Sequence, residues 1–509
     1  MKNSLFLLLS LTLLAACQSY RPLTPTDDGQ LTFQILQVND VYEIAPLSNG
    51  RVGGMARVAQ VRKELLAENS NTITVLAGDF LSPSVIGTLK KDGNRIAGAQ
   101  MVDAMNATGI DLVTFGNHEF DISESRLQAR LDESEFTWIG SNVVQQKENG
   151  RTAFQVNGQD VPEYWIQTFT DTDGTRVKVG FISATIASNP KDYVHYEDAF
   201  SEAKRLYELV APQVDLVIGL THLSLEEDKQ LAKLLPEIPL LMGGHEHHNM
   251  KVPVGKAFVT KADANAKSAY IHRIHFDKGK IKIESELKML DETVALEAET
   301  QAVVSKWTSI ADDIFAAKGM DTKRIVAQLP KKIDATEQVV RHRPSTASHM
   351  IVKAMENAYP SADLALINTG SIRVDDVLQD QLSEYDIIRL LPFGGGIQMV
   401  EMKGRLLEKV IRAGLKNVGE GGYLAMDNVT VDAANELLIH NERIVAEKTY
   451  SVVLPDFLLL GLETGLGFLK SDHPDIVNIE KPNDGDRRQD IRLVVVDCLL
   501  ESGVPYLEE

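Results

Sequence analysis

Carboxylate, amide and imidazole side chains occur in five short clusters along this chain of 509 residues. In order, the clusters contain Asp40, Asp79, Asn117-His118, His222 and His245-Glu246-His247-His248. These oxygen and nitrogen donors suit zinc, manganese or iron better than a metal that prefers thiolates. Two such ions about 3.5–4 Å apart can hold a phosphoryl group and generate hydroxide near neutral pH. The clusters therefore indicate a two-metal hydrolytic site, with Asp79 as the natural bridging carboxylate.

Each cluster follows a short apolar run of the kind that forms buried strands. The runs are Leu31–Val38, Thr72–Ala77, Leu112–Thr114, Leu216–Leu220 and Leu240–Met242. Ligands of open α/β sheets bind beyond the carboxyl ends of the strands, where these clusters lie. Glycines beside the ligands allow tight turns and close approach to an anion. The pattern thus predicts an α/β domain whose strand ends carry the site.

Taken singly, each cluster has an ordinary structural explanation. A Gly-Asp after a strand is usually a turn, and an isolated buried histidine usually satisfies its own hydrogen bonds inside the core. Gly243-Gly244-His245-Glu246-His247 is more specific, because paired histidines beside glycines are uncommon in a core. The occurrence of all five clusters in one chain favours the metal interpretation.

The order of the clusters resembles that of the calcineurin-like metallophosphoesterases. Within that group the chain resembles the two-domain 5′-nucleotidases of bacteria and animals, which include UDP-sugar hydrolases and cyclic-nucleotide phosphodiesterases. The motifs that carry the resemblance are Gly53-Gly54-Met55-Ala56-Arg57 and Gly116-Asn117-His118-Glu119-Phe120-Asp121. It extends from about Leu31 to near the C-terminus and implies a mixed α/β (α+β) protein. The expected parts are an N-terminal four-layer α/β/β/α sandwich, a bridging helix and a C-terminal α/β specificity domain.

The resemblance implies two divalent ions and assigns their ligands in two sets: Asp40, Asp79 and His247, then Asp79, Asn117, His222 and His245. It implies that His118 faces the substrate phosphoryl group and is not a ligand. Asp121 would orient its imidazole, as carboxylates orient other histidines. His248 has no counterpart role and is expected at the surface or behind the ligands.

The first motif departs from the family, which usually has Asp-x-His where this chain has Asp40-Val41-Tyr42. A tyrosine with an ordinary pKa of about 10 is a poor ligand for a divalent ion. Three arrangements stay open: Tyr42 ligates, water fills the position, or Glu43 assists. Tyr42 could also only pack there, with a weakened first site. The complete second set favours a two-metal enzyme with an altered first site over a one-metal or inactive protein.

The second half of the chain contains the expected specificity residues. Leu366-Ile367-Asn368-Thr369-Gly370-Ser371-Ile372-Arg373 and Leu391-Pro392-Phe393-Gly394 resemble the 5′-nucleotidase C-terminal domain. The matched substrate-binding positions are Asn368, Arg373, Phe393 and Phe457, together with Arg343 as a further phosphate-binding arginine and Glu463 on the ribose side. Phe393 could instead be a core residue at a turn. The family usually has Gly-Gly-Asp-Gly where this chain has Gly461-Leu462-Glu463-Thr464-Gly465, which leaves ribose recognition open.

The N-terminus has the pattern of an exported protein. Lys2 precedes the apolar run Leu5–Leu14, which is too short to span a bilayer of about 30 Å. Leu14-Ala15-Ala16-Cys17 resembles the bacterial lipobox, whose cysteine is lipidated; the alternative is a secretory peptide cut near Ala16. Gln18 after it resembles sorting to the outer membrane of a Gram-negative bacterium. We therefore expect a periplasmic or surface lipoprotein whose only membrane contact is that anchor.

Composition and element patterns set the remaining expectations. A net charge of −20 argues against nucleic acid as a partner. The family resemblance implies a small nucleotide or related phosphoester instead. Cys498, without a second cysteine once Cys17 is lipidated, is expected to be buried and inert. Tyr270–Leu290 predicts two strands, and Glu297–Ala317 predicts a helix. The expected boundaries are 1–17 (signal peptide), 18–30 (tether), 31–295 (metal domain), 296–321 (bridge) and 322–509 (substrate domain).

The sequence thus predicts metal-dependent hydrolysis of phosphate monoesters, with 5′-nucleotides converted to nucleosides and phosphate. UDP-sugars, cyclic phosphodiesters or thiosulfate-like groups are alternative substrates for the same fold. A nucleotide-binding lipoprotein with weakened catalysis and a surface interaction protein are the alternatives outside the enzyme class, since one fold hosts many functions.

Overall fold

The computed structural model describes residues 27–188 and 190–507. Cys17 and most of the expected tether lie outside these residues. The first domain contains two six-stranded sheets. The first sheet consists, in spatial order, of Lys280–Met289, Ser268–Asp277, Gln30–Val38, Thr72–Leu76, Leu112–Thr114 and Thr137–Ile139. Its central pairs are parallel, with Gln34 opposite Thr72, so their carboxyl ends lie along one edge.

The second sheet packs against the first through a shared apolar layer. Its strands are, in spatial order, Tyr164–Thr170, Arg176–Thr185, Leu216–His222, Leu240–Gly243, Ala257–Lys261 and Met250–Val254. Phe33 of the first sheet stacks on Phe169 of the second with ring centroids 4.2 Å apart. Both inner faces belong to one buried cluster, which explains why the strands are apolar on this side.

Helices cover the two outer faces and complete four layers. Met55–Glu68, Ala99–Thr108, Glu124–Glu133 and Ala298–Ala316 pack outside the first sheet. Ala199–Val210 and Leu225–Leu234 pack outside the second. The predicted α/β/β/α sandwich is therefore confirmed. Short elements in the connections are Val85–Thr88, Lys90–Lys91, Asn94–Arg95, His118–Asp121, Val143–Lys147, Gly150–Thr152, Gln155–Val156, Gln159–Asp160, Val194–Tyr196 and Ala211–Gln213.

The predicted bridging helix is present at Ala298–Ala316, within one residue of the expected span at each end. The Glu297 carboxylate caps it by accepting the N–H groups of Glu299 and Thr300. Its apolar residues pack on the first domain, and the indole N–H of Trp307 donates to Asp103 at 2.8 Å. The helix therefore belongs to the core of the first domain while it leads the chain to the second.

The second domain is built on a five-stranded mixed sheet. Its strands are, in spatial order, Leu424–Met426, Leu364–Asn368, Thr449–Pro455, Ile397–Lys403 and Ile476–Glu480. Thr346–Ala358 and Ile491–Ser502 share one apolar cluster with it, and Gly404–Lys416 another. Further elements are Ile325–Asp334, Glu337–Val340, Thr369–Ser371, Val377–Ser383, Glu384–Leu390, Val429–Val431, Leu437–Ile439, Glu442–Arg443, Asp456–Leu459 and Arg487–Gln489.

Cys498 is 6% exposed within this second domain, as predicted, and burial is the main cause of the raised pKa of its thiol. Neither domain has, among the residues described, a helix with the length and apolarity that crossing a membrane requires.

Candidate active site

Asp40, Asp79 and His222 form a buried group that could hold a metal ion. Each can offer one ligand atom such that all three atoms lie within 4.8 Å of one another. His222 Nε2 lies 3.1 Å from an oxygen of Asp79 and 4.0 Å from an oxygen of Asp40. The three residues follow or end strands of the two facing sheets, as the sequence predicted. The edge of the sandwich thereby brings distant residues of the chain together.

The backbone around this group is held in conformations that side chains rarely adopt. Asp40, Asp79 and His245 have φ values of 51°, 58° and 81°. Such left-handed residues cost roughly 1–3 kcal/mol each, and they are concentrated at functional sites. A Cβ on Gly116 would lie 2.1 Å from Asp79 Oδ1, so only glycine fits there. The loops are thus shaped to bring polar groups unusually close.

Two buried atoms at this position have no hydrogen bond of good geometry among the described residues: Asn117 Oδ1, and His222 Nε2, whose near neighbour is the Asp79 oxygen at 3.1 Å. His222 Nδ1 contacts the carbonyl of Ala77 at 2.7 Å, which leaves Nε2 free to bind a metal. Buried polar atoms without a partner are costly, and a cation would satisfy both. The donor set of carboxylate, amide and imidazole therefore fits a divalent ion.

The protonation of His222 reflects its carboxylate neighbours. Burial would lower the pKa of His222, but the charges of Asp79 and Asp40 raise it to about 9. Burial would likewise raise the pKa of Asp79, but His222 and His118 hold it well below its usual range. A metal ion must displace the His222 proton, so binding is expected to release a proton and to weaken as the pH falls.

Tyr42 lies among Asp40, Asp79 and His247, the three residues expected to hold the first ion. Its hydroxyl is 3.2 Å from Asp79 Oδ2, 3.1 Å from His247 Nε2 and 3.5 Å from Asp40 Oδ1. Burial and then the charge of Asp79 raise the pKa of Tyr42 well above 10. The hydroxyl therefore lies within 3.5 Å of side chains of all three residues expected to hold the first ion.

Glu43, the other candidate for that position, is engaged elsewhere. Its carboxylate accepts the backbone N–H of Val85 at 3.0 Å and the hydroxyl of Tyr385 at 2.6 Å. Tyr385 belongs to the second domain, so this carboxylate joins the two domains. Each oxygen of the Glu43 carboxylate therefore already has one hydrogen-bond donor.

His245 and His247 come from one loop but have different surroundings. The His245 N–H donates to Asp40 at 3.0 Å, and its ring lies beside that of His222 with centroids 5.5 Å apart. His247 Nδ1 pairs with the carboxylate of Asp375 from the second domain. His248 is exposed, consistent with its expected place at the surface.

Lys261 supports both histidine loops and was not singled out from the sequence. Its side chain is fully buried, and Nζ donates to the carbonyls of Leu223 and Gly244, each at 2.7 Å. It also pairs with the carboxylates of Asp228, at 2.8 Å, and Glu246. A charged residue at the end of the apolar strand Ala257–Lys261 is the only sequence signal that marked it.

Glu119 supports the remaining loops in a similar way. Its buried carboxylate accepts the backbone N–H groups of Asp79, Phe80 and Gly116 at 2.9, 2.7 and 2.6 Å. Burial, reinforced by the charge of Asp79, raises the pKa of Glu119 to about 7. One side chain thus fixes the loops that carry Asp79 and Asn117.

His118 and Asp121 are brought together as the sequence suggested. His118 Nδ1 lies 2.7 Å from Asp121 Oδ2, and the His118 N–H donates to Asp79 Oδ1 at 2.8 Å. Burial would lower the pKa of His118, but Asp79 and Asp121 raise it above its ordinary value. The imidazole is therefore oriented by a carboxylate and lines the cavity described next.

A cavity of about 1140 Å³ lies between the two domains and is lined by residues of both. Its lining includes, from the first domain, Asn117, His118, Asp121 and His245, and from the second, Arg341, Asn368, Arg373, Phe393, Phe457 and Glu463. Phe393 and Phe457 are 56% and 39% exposed, so neither is a core residue. Asn368 donates to the carboxylate of Glu463 and accepts the hydroxyl of Ser371.

Arg341, and not Arg343, faces this cavity. Arg343 is exposed and is not among the described residues that line the cavity. The Nε atoms of Arg341 and Arg373 are buried without a hydrogen-bond partner in the described part of the chain. Glu337 lies between the two guanidinium groups and pairs with both. Two arginines that line one cavity are suited to bind a phosphate group.

Comparison with known proteins assigns both halves of the chain. Residues 33–249 match the calcineurin-like phosphoesterase family, and residues 325–469 match the 5′-nucleotidase, C-terminal domain family. The chain joins a calcineurin-like phosphoesterase domain to a 5′-nucleotidase C-terminal domain. The family resemblance seen in the sequence is thereby confirmed.

Whole-chain relatives agree with this assignment. The 5′-nucleotidase of Bos taurus is 25% identical over 502 residues, covering 87% of this chain and 82% of its own. A 5′-nucleotidase precursor from Thermus thermophilus superposes with a TM-score of 0.69 at 21% identity, covering 94% and 98% of the two chains. The sulfate thiohydrolase SoxB of Thermus thermophilus superposes at 0.64 with 14% identity, covering 94% and 95%. At these identities the two structures establish the fold. The phosphoesterase domain thus supplies the metal-ligand group, and the 5′-nucleotidase C-terminal domain supplies the opposite side of the cavity.

Proposed function

We propose that this protein is a metal-dependent 5′-nucleotidase, which hydrolyses nucleoside 5′-monophosphates to nucleosides and phosphate. The observation that carries the proposal is the cavity between the domains. On one side it is lined by His118 and His245, whose backbone N–H groups donate to Asp79 and Asp40 of the buried carboxylate and histidine group. On the other side it offers two arginines and two exposed aromatic rings. That combination matches a substrate with a phosphate at one end and a planar base at the other.

Two divalent ions are proposed, held by Asp40, Asp79 and His247 and by Asp79, Asn117, His222 and His245. Ions bound there would supply Lewis acidity, which polarises phosphoryl oxygens and lowers the pKa of water. Tyr42 is proposed to complete the first set through its hydroxyl or through a water bound to it. Zinc, manganese and iron all suit this donor set.

The chain's own residues have separate tasks in this proposal. His118, oriented by Asp121, donates a hydrogen bond to the phosphoryl group and assists departure of the leaving oxygen. Arg341 and Arg373 hold the phosphate side, since a guanidinium matches phosphate oxygens in pairs. Phe393 and Phe457 stack on the base, an interaction worth about 1–3 kcal/mol per base. Catalysis then rests on positioning and electrostatics.

Sugar recognition is proposed to involve Asn368 and Glu463. Glu463 has a longer arm than the aspartate usual in the family, and Asn368 already holds its carboxylate. A carboxylate in this place can accept hydrogen bonds from ribose hydroxyls. This supports nucleotides over simple phosphate monoesters as substrates.

The test is hydrolysis by the purified full chain after chelation and reloading with manganese, zinc or iron. Phosphate release is measured from AMP, a UDP-sugar, a cyclic nucleotide and glycerol phosphate, with elemental analysis of the same samples. We expect metal-stimulated release of adenosine and phosphate from AMP, and much slower release from glycerol phosphate, which lacks a base. No metal-stimulated phosphate release from any nucleoside monophosphate would overturn the proposal.

We also propose export and a lipid anchor at Cys17, with the domain boundaries at 31–295, 296–321 and 322–509 as expected from the sequence. The support is the pattern Leu14-Ala15-Ala16-Cys17 after an apolar run. Cys17→Ala should release the protein from the membrane fraction of a Gram-negative host, while C498A should not. Equal fractionation of wild type and C17A would contradict the anchor.

A further inference from the structure

One side chain of the second domain contacts His247, a proposed ligand of the first ion. Asp375 follows the cavity residue Arg373 by two positions, and its carboxylate pairs with His247 Nδ1. The other oxygen of Asp375 accepts the backbone N–H of Glu337 at 2.6 Å. Both oxygens are therefore in use, one within the second domain and one towards the first.

The opposite nitrogen of the same imidazole faces the ligands. His247 Nε2 lies 3.5 Å from Asp40 Oδ1 and 3.1 Å from the Tyr42 hydroxyl. A carboxylate on one imidazole nitrogen fixes the ring orientation and makes the other nitrogen a better metal ligand. Here that carboxylate comes from a different domain, so the ligand geometry of His247 depends on how the two domains are placed.

Asp375 is held in a conformation that serves this contact. Its φ of 38° lies in the left-handed region, which aspartate and asparagine tolerate better than other side chains. The neighbouring Asp376 also crosses the interface but in another direction, pairing with Lys267 of the first domain at 2.6 Å and with Arg389 at 3.2 Å. The two adjacent carboxylates therefore differ: Asp375 contacts the proposed ligand His247, whereas Asp376 pairs with Lys267 and Arg389, neither of which is a proposed ligand.

We propose that Asp375 is a positioning residue for the first metal site and that it couples metal binding to the observed arrangement of the domains. A domain arrangement that keeps Asp375 on His247 binds the ion more tightly. By linkage, the bound ion favours that arrangement by the same factor. Because Arg373 lies on the same segment, substrate phosphate and metal are held by one stretch of backbone.

The test compares Asp375→Asn with Asp376→Asn in the full chain. His247 and Glu337 use different oxygens of Asp375, and an amide keeps an acceptor at only one of those two positions. Asparagine also tolerates the left-handed backbone. Manganese and zinc affinities are measured by competition with a chromogenic chelator, without substrate. We expect D375N to weaken one of two sites by about 10–100-fold, and D376N to stay within about twofold of wild type.

Two results would overturn the proposal: unchanged metal affinity in D375N, or an equal loss in D376N, which would show that the interface as a whole is responsible. The inference rests on the proposed ligand role of His247, but the measurement does not use turnover. Loss of the nucleotidase proposal alone would therefore leave the affinity difference intact.

The coupling has a second readout in the domain arrangement. Spin labels on K204C and E447C, at exposed positions of the two domains, report the distance between them. In a C17A/C498A background, metal should narrow the distance distribution of the wild-type pair. In D375N the same metal occupancy should have a clearly smaller effect. An identical metal response in D375N would contradict the coupling.

Discussion

Asp40, Asp79 and His222 of the phosphoesterase domain are at most 1% exposed, whereas Phe393 and Phe457 across the cavity are 56% and 39% exposed. The two sides of the cavity also differ in what holds their side chains. On the metal side, strained backbone, glycines and buried charges fix each group. On the nucleotide side, long side chains extend from loops into open space. A centre that binds ions needs fixed geometry, while a surface that stacks on a base needs accessible faces.

Because of this difference, the two sides of the cavity should respond differently to substitution. On the metal side, buried polar and charged groups stabilise one another only while every partner is present. Removing one partner leaves an unpaired buried charge, which is strongly destabilising. The nucleotide side consists of groups that water can also satisfy when the substrate is absent. Changes on the metal side should therefore affect stability and turnover together, and changes on the nucleotide side should affect mainly substrate affinity.

Asp79→Asn should have the largest effect, because it removes the carboxylate shared by both proposed metal sets. We expect turnover of AMP to fall by more than about three orders of magnitude. Elemental analysis should show reduced metal content, while circular dichroism should match wild type. Asp111→Asn is the control, since Asp111 is a carboxylate on the same sheet that accepts from Thr74 away from the cavity. If D79N turned over AMP about as fast as D111N, Asp79 would not be a metal ligand.

Lys261→Met should have the next largest effect and should act on both stability and metal binding. The change leaves the carboxylates of Asp228 and Glu246 without their cation, which typically costs about 3–5 kcal/mol. Chemical denaturation should show this loss, and metal affinity should fall because Gly244 and Leu223 lose their support. The exposed pair of Lys229 and Glu226 gives the control, K229M, which should change stability by less than about 1 kcal/mol. A K261M protein as stable as K229M would show that the buried charge is not needed.

The same contrast explains how much of the site could be predicted from sequence. The ligand-bearing strands were predicted closely, Leu112–Thr114 to the residue, because short apolar runs before polar residues define strand ends. Lys261 was missed because a lysine at the end of a strand is usually a surface residue. Asp375 was missed because its contact with His247 depends on the placement of two domains, which no local pattern encodes.

On the nucleotide side five of the six expected residues line the cavity and one, Arg343, does not. Arg343 was expected in the cavity, but the short helix Glu337–Val340 and its end at Arg341 direct the earlier arginine there. Two arginines two positions apart look equivalent in sequence. The turn between helix and loop decides which of the two lines the cavity.

Arg341→Ala against Arg343→Ala therefore tests the nucleotide side with a matched pair. A charge-assisted hydrogen bond contributes about 1.5–3 kcal/mol. We expect R341A to raise KM for AMP by roughly 10–100-fold with a smaller change in kcat, because the lost contact acts mainly on binding. R343A should leave both within about twofold. A larger KM change in R343A than in R341A would show that Arg343, the arginine expected from sequence, binds the phosphate.

Substitution of His272, in the first domain, should have the smallest effect, a change in how the stability of that domain depends on pH. His272 is fully buried and contacts Gln37 at 2.9 Å, and Gln37 donates to the carbonyl of Gly243 at 3.1 Å, at the start of the histidine loop. Burial lowers the pKa of His272 to about 3, whereas an unfolded histidine titrates near 6.5. Below about pH 6.5 the unfolded chain therefore binds the extra proton, and stability from the neutral histidine is lost as the pH falls towards 3.

Between pH 7.5 and 5.5 this loss amounts to about 1.4 kcal/mol. The free energy of unfolding of the first domain, measured by denaturant titration, should fall by about that much less in H272Q than in wild type. Between pH 7.5 and 8.5 the two proteins should change alike, since His272 is neutral in both states there. An equal loss in H272Q and wild type on acidification would mean that the acid sensitivity of this domain comes from its carboxylates and ligand histidines instead.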